Sequence, residues 1–275
     1  MAEKGITPPK NTLSLLRFRN KHSELSRIYW THVIGAQTVE KHLSGVPDST
    51  LAISALKIPT TQAQYGYNAK DTKDWIADYL GRSRLHILAI CSANLEAFLK
   101  QITFAYVASL GHKLSPGKLS PVGEALAAPV LEYDSLPVPL EYCQELFQVD
   151  FSESLILWKR AYKIRCALVH NGGVVTARTA KDLGIANLRL HDHLTYTWDD
   201  LKADLNGAYH IANTISKKVN KYSLRFEEIE HELVSLKAMG ALPAKEKLWT
   251  SFHDEGAPLP KKSDRPQLIR YCYEF

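Results

Sequence analysis

Residues 150–173 read DFSESLILWKRAYKIRCALVHNGG. Asp150, followed three residues later by Glu153, has the form of a capping box; apolar and basic residues then alternate for about five turns until Asn171-Gly172-Gly173 stops the run. The spacing predicts a complete helix with both ends marked. At 100° per residue, Leu155, Trp158, Tyr162, Cys166 and Val169 share one side, and Leu157, Ala161, Ile164 and Leu168 lie roughly opposite. Two apolar faces predict two packing partners. Between them Lys159, Lys163 and His170 fall within about 40° of one another, whereas Arg165 projects about 140° from His170. His170 thus closes a basic stripe in the last turn, where the helix dipole favours a cation by about 0.3 to 1 kcal/mol. Asn171 and the two glycines let a ligand approach closely.

Outward from this helix, the chain reads as mostly helical. Residues 12–43 carry Leu25, Ile28, Tyr29, Val33, Ala36, Val39 and Leu43 at steps of three and four, a first long helix. Residues 44–73 predict a loop with one helical turn. A second long helix spans 74–110 and is apolar on nearly every side from Leu85 onward, as a helix buried among others is. Inside that run Glu96 and Lys100, four apart with the acid first, share a narrow polar strip with Ser92 and Thr103. Residues 111–140, with five prolines, read as an insertion or long connection outside the core. Residues 178–183 predict a short helix, and 188–198 one or two short strands. From Asp199, the series Leu201, Leu205, Ala208, Ala212, Ile215, Val219, Tyr222, Phe226, Ile229, Leu233 and Leu236 predicts a single long helix with about five heptads of seam. Gly240 ends it, and the Pro-rich tail 241–275 is expected to be extended and docked on the body. The expected fold is an all-α bundle of long antiparallel helices with a short β-hairpin. One helical domain spans 1–240, with its core in 74–110 and 150–240, and the tail is an extension.

Composition bounds the function. The chain has 275 residues, 45% apolar and 23% charged, enough for a sizeable core. A net charge of +5 and a pI near 8.9 permit an acidic partner such as nucleic acid without requiring one. The start MAEKGITPPKNTLSLL has no uninterrupted apolar segment, and no window of about eighteen residues is apolar and free of charge, so a cytoplasmic location without membrane attachment is expected. Cys91, Cys143, Cys166 and Cys272 are scattered singly, which fits packed thiols better than a disulfide framework or a zinc site. His191 and His193 alternate on the expected strand but lack a third ligand at metal spacing, so no metal and no cofactor is expected. No Gly-x-Ser-x-Gly occurs, and Cys166 sits in an apolar run, which argues against a serine or cysteine nucleophile.

Arg165, four residues, then His170 and Asn171, on a helix preceded by a buried helix bearing Glu96 and Lys100, resembles the HEPN superfamily over about half the chain, 74–110 and 150–240. The resemblance implies a helical homodimer joined through the motif helix. It also implies a metal-independent endoribonuclease acting as a toxin or antiviral defence effector, with an antitoxin or other defence-system protein as partner. It makes Arg165, His170 and Glu96 the catalytic candidates, with Asn171, Lys163, Lys159 and Lys100 holding RNA. Such cleavage needs a group to take the 2′-hydroxyl proton, a proton for the leaving 5′ oxygen, and a cation over the phosphate. Histidine suits the first task, and arginine can grip a phosphate with two parallel hydrogen bonds. Because Arg165 and His170 diverge on one helix, a second copy would complete the site.

Other readings attach to the same residues. His170 also suits a helix C-cap, Arg165 an interface ion pair, Glu96 with Lys100 a structural pair, and Lys159 with Lys163 a solvated face. Members of the family that cut RNA often carry a polar residue where Cys166 stands. The alternative function is therefore a non-catalytic HEPN-like dimerisation module that binds RNA, nucleotide or a partner protein. A scaffold built on the heptad helix is a third reading.

Overall fold

A computed structural model of the chain describes residues 11–58, 66–132, 137–184, 193–254, 256–257 and 259–273. The fold is all-α, 75% helical, with one two-stranded antiparallel sheet among the described residues. Its elements in order are α1 (Leu13–Leu43), α2 (Ala52–Ala55), α3 (Ala69–Ser109), β1 (Lys113–Ser115), β2 (Lys118–Leu119), α4 (Pro121–Leu131) and α5 (Pro137–Phe147). There follow α6 (Ser152–Asn171), α7 (Ala177–Leu183), α8 (Trp198–Val219), α9 (Tyr222–Ala238), a 3-10 turn (Lys245–Lys247), α10 (Leu248–Asp254) and α11 (Arg265–Tyr273). Two compact units emerge: the first comprises Met1–Lys21, Ser92–Lys159 and Asn206–Phe275, the second His22–Cys91 and Arg160–Leu205.

In the first unit, the apolar half of α3 buries Leu95, Phe98, Leu99 and Ile102, with the Phe98 ring 5.7 Å from that of Phe18 on α1. An 18-residue window of α3 has a mean hydropathy of 1.2, and half of it is buried within the protein, the pattern of a core helix. The first N–H groups of α1 have no partners within their own helix, and Glu228 of α9 supplies them. Its carboxylate, 5% exposed, accepts from the N–H of Leu13 at 2.9 Å, the N–H of Ser14 at 3.0 Å and the Ser14 hydroxyl at 2.6 Å.

That contact bears on the expected single helix over 199–236, which is two helices. Leu201, Leu205, Ala208, Ala212, Ile215 and Val219 are all buried on α8 as the heptad pattern requires. Lys221 is extended, with φ −123° and ψ 162°, and interrupts the ladder. Periodicity reports a continuous buried face and not a continuous axis, and a second helix lets α9 bury Arg225, Glu227, Glu228 and Glu230.

The described part of 111–140, residues 111–132 and 137–140, folds as β1, β2, α4 and the start of α5 and contributes to the core. Leu119 and Ala127 join Val107 and Ala108 in one apolar cluster, and Leu140 is fully buried. The prolines misled because Pro121 starts α4 behind Ser120, whose hydroxyl accepts from Gly123 N–H, and Pro137 starts α5, positions where the missing N–H costs nothing. Gly117 (φ +72°) turns the hairpin against α9, where a Cβ would come within 2.8 Å of Val234. Lys113 of β1 reaches Glu227 at 2.9 Å and Glu230 at 3.0 Å. The tail is docked as expected but helical: Leu248, Phe252 and Leu268 pack with Ile229 and Leu233 of α9.

The second unit is organised by aromatic and polar contacts. Tyr29 of α1 stacks on Trp198 at 4.7 Å, and Arg84 of α3 donates to the Tyr29 hydroxyl at 3.1 Å and to the Tyr196 carbonyl at 3.2 Å. Tyr196 donates its hydroxyl to the buried Asp204 carboxylate at 2.5 Å. Burial pushes Asp204 up to about 6, against the lowering effect of that hydrogen bond. Among the described residues, the hairpin lies at 113–119. Of the strands expected over 188–198, residues 188–192 lie outside the described residues, and His193 forms an isolated bridge to Val174.

Two outcomes are expected. Glu228→Ala strips three buried donors of their acceptor and should lower the unfolding free energy by roughly 3 kcal/mol or more; a urea midpoint close to wild type would contradict this. Folded Asp204 binds its proton more tightly than the unfolded chain does. Its contribution is therefore complete below the ordinary carboxylate range and is lost as pH rises through about 6. Asp204→Asn should remove a fall in stability on the order of 2 to 3 kcal/mol between pH 4 and pH 7. Denaturation curves that keep the same pH dependence in both proteins would refute it.

Candidate functional site

The motif helix α6 forms where the sequence places it. Asp150 accepts from the N–H of Ser152 at 2.9 Å and its hydroxyl at 2.7 Å, so the acid caps the helix directly. The expected pair of opposed apolar faces is not what the chain buries. Leu155, Trp158, Ala161, Ile164 and Ala167 form one buried stripe at three-residue steps, while Val169 is 54% and Ile156 69% exposed. Trp158 fits because position 207 on α8 is glycine, where a Cβ would lie 3.3 Å from the indole.

At the other end, Gly172 (φ +60°) and Gly173 (φ +82°) both adopt the left-handed conformation that side chains resist. The chain reverses there, with Gly173 N–H returning to the Ala167 carbonyl and Leu194 N–H donating to the Gly173 carbonyl at 2.9 Å. Thr176 then caps α7 by accepting from Thr179 N–H at 3.1 Å.

This reversal sets α7 beside the last two turns of α6 and leaves a cleft of about 550 Å³, within the range of ligand sites. From α6 it is lined by Lys163, Cys166, His170 and Asn171, and from α7 by Thr179 and Arg178. His170, Asn171, Lys163 and Arg178 are exposed, and Cys166 is half-buried. Lys163 donates to the Asp182 carbonyl at 2.6 Å, tying the walls together. Arg178 lies 3.7 Å from Asp182 and is 92% exposed, so its charge is open to a ligand.

Of the expected site residues, His170, Asn171 and Lys163 share this cleft. Arg165 does not line it; its guanidinium lies 5.6 Å from the centre of the Tyr162 ring, which does. Lys159 pairs with Glu141 of α5 at 2.5 Å, within the first unit. Glu96 also belongs to the first unit and pairs with Lys100 at 2.9 Å, both side chains about one-third exposed. The short helix expected at 178–183 is α7, but its part as a wall of the site has no signal in the sequence beyond Thr176, a residue type suited to an N-cap, directly after the motif helix. His191 lies outside the described residues, and among the described residues no cluster of histidine, cysteine and carboxylates could hold a metal.

The chain matches no protein-family model, no curated protein and no solved structure. The chemistry of the cleft therefore rests on its own geometry.

A Cβ at Gly172 would meet no neighbour within 4 Å, so Gly172→Ala isolates the backbone requirement. The variant should lose about 1 kcal/mol of stability. A melting temperature at or above that of wild type would show that the turn tolerates a side chain.

Proposed function

We propose that this protein is a metal-independent endoribonuclease of HEPN type, a cytoplasmic toxin or defence effector acting as a homodimer through α6. The observation that carries the reading is the solvent-open cleft that His170 and Asn171 share with the cations Lys163 of α6 and Arg178 of α7. An imidazole at the end of a rigid helix, with Lys163 two turns back on the same helix and Arg178 on the opposite wall, suits proton transfer beside a bound phosphodiester. His170 takes the 2′-hydroxyl proton, the 2′ oxygen attacks the adjacent phosphorus, and the 5′ oxygen leaves with a proton from solvent. The products are a 2′,3′-cyclic phosphate and a free 5′-hydroxyl. Charge building on the phosphate needs a guanidinium. Arg165 stands against Tyr162 and outside its own chain's cleft, which favours delivery of Arg165 into the cleft of a second copy. Ile156, 69% exposed, and Leu157, 38% exposed, offer apolar area on α6 for that second copy. An antitoxin or other partner protein would then control the open site.

The same divergence favours the alternative of a non-catalytic dimerisation module, in which Cys166 in the cleft wall replaces a catalytic polar group. The two readings separate in one experiment. His170→Ala and Arg165→Ala should each abolish RNA cleavage in EDTA while the dimer persists. Mixing the two inactive variants should restore about a quarter of wild-type activity, since half the dimers then carry one intact composite site. No cleavage by wild type, or full cleavage by either variant, sinks the ribonuclease reading; failure of the mixture alone sinks the composite site.

A further inference from the structure

The other flank of the α6 terminus carries a second opening, a groove of about 370 Å³ also within the second unit. Its floor is apolar: Leu85 of α3 is buried, Leu168 of α6 half-buried and Leu194 buried. Its rim carries Arg82 and His86 of α3 and His193, all exposed. Asp78 engages the Arg82 guanidinium at Nε at 2.6 Å in a half-exposed pair, and one carboxylate cannot take all five guanidinium donors. His86 Nδ1 lies 2.8 Å from the Arg82 carbonyl, which can only accept, so Nδ1 carries hydrogen and Nε2 is left for a ligand. His193 is fixed by its backbone bridge to Val174.

Two glycines flank the groove. Gly81 sits inside α3, where glycine weakens a helix relative to alanine, yet a Cβ there would meet nothing within 4 Å. Gly172 is bare in the same way. The opening they keep is not needed for packing and suits a ligand lying close to the backbone. Leu168 and Val169 line this groove while Ala167, His170 and Asn171 line the cleft, so both openings share the final turn of one helix.

We propose that this groove is a second nucleotide subsite for the RNA strand cut at His170. The strand crosses the bare glycine tip of α6, lays one nucleotide's base or ribose on the leucine floor, and sets that nucleotide's phosphate against Arg82, His86 and His193. A basic groove that tracks the backbone holds single strands without sequence readout; here Arg82 supplies the charge, and the leucines offer apolar contact in place of the aromatic stacking common in such grooves. The negative, carbonyl end of α6 repels phosphate, so cations must come from the flanks, and Arg82 supplies one here as Arg178 does in the cleft. The proposal rests on the ribonuclease reading and adds to it a requirement for RNA longer than the scissile dinucleotide.

The test uses full-length protein carrying His170→Ala and a fluorescently labelled single-stranded RNA of about ten nucleotides, the span of one strand-tracking groove. Gly81→Leu should fill the groove and Arg82→Ala should remove its cation. Each should weaken binding about fivefold or more, and Arg82→Ala should lower the slope of log affinity against log salt by about one. With His170 restored, both variants should cleave a dinucleotide within about twofold of wild type but lose cleavage of the longer RNA in step with binding. Unchanged affinity and salt slope in both variants, with wild type still cutting the longer RNA, overturns the subsite and leaves the ribonuclease standing. Absence of cutting by wild type overturns both. Arg82→Ala changes an exposed side chain and Gly81→Leu raises helix propensity, so melting temperatures at or above wild type verify that folding is intact.

Discussion

Helix α6 has to stop at Asn171, and it stops because the next two residues adopt a backbone conformation that costs glycine nothing. Without that reversal Gly173 could not pair with Leu194, Val174 could not bridge His193, and Thr176 would not be placed to cap α7. The cleft holding His170 and the groove holding Arg82 are the two flanks of one helix end. A terminus of this kind presents carbonyls, which disfavour phosphate. Lys163, Arg178 and Arg82 stand on the flanks of that end, where a phosphodiester can meet positive charge without facing the carbonyls.

The first unit solves a different problem, that of burying charge. Arg225, Glu227, Glu228 and Glu230 are all buried on α9. Such a layer is tolerable only when each group finds donors or counter-charges, because a bare buried charge costs several kcal/mol. Glu228 takes the first amides of α1, and Lys113 bridges Glu227 and Glu230. Burial nonetheless raises the affinity of Glu227 and Glu228 for protons. In the second unit burial does the same to Asp204, and it pushes the Cys91 thiol far above its ordinary range, leaving it inert.

Much of this architecture was legible in the residues. The bounds of α1, α6 and α7 follow from apolar spacing and from caps and glycines that act over three or four residues. Signals that depend on distant partners were misread. Prolines at 121 and 137 resemble loop markers until it is known that each opens a helix. The heptad run from Leu201 to Leu236 looks like one helix because its apolar residues keep steps of three and four in sequence across the extended Lys221, although α9 also buries Arg225, Glu227, Glu228 and Glu230 off that seam. The wheel of α6 predicts two opposed apolar sides, yet Ala161 and Ile164 of one join Leu155 and Trp158 of the other in a single buried stripe, and Leu157 and Val169 are left exposed.

The sequence by itself determined that the chain is helical, that α6 begins behind Asp150 and ends at Gly172, and that Arg165 and His170 diverge on it. These are local properties, set by hydrogen bonds and torsions within a few residues. Only the tertiary structure decided which side chains His170 meets. It placed Thr179 and Arg178 opposite His170, engaged Lys163 with Asp182 and Arg165 with Tyr162, and brought His193 beside Arg82 and His86. Those pairings join residues from separate elements of the chain, and no spacing rule reaches across the reversal that brings them together.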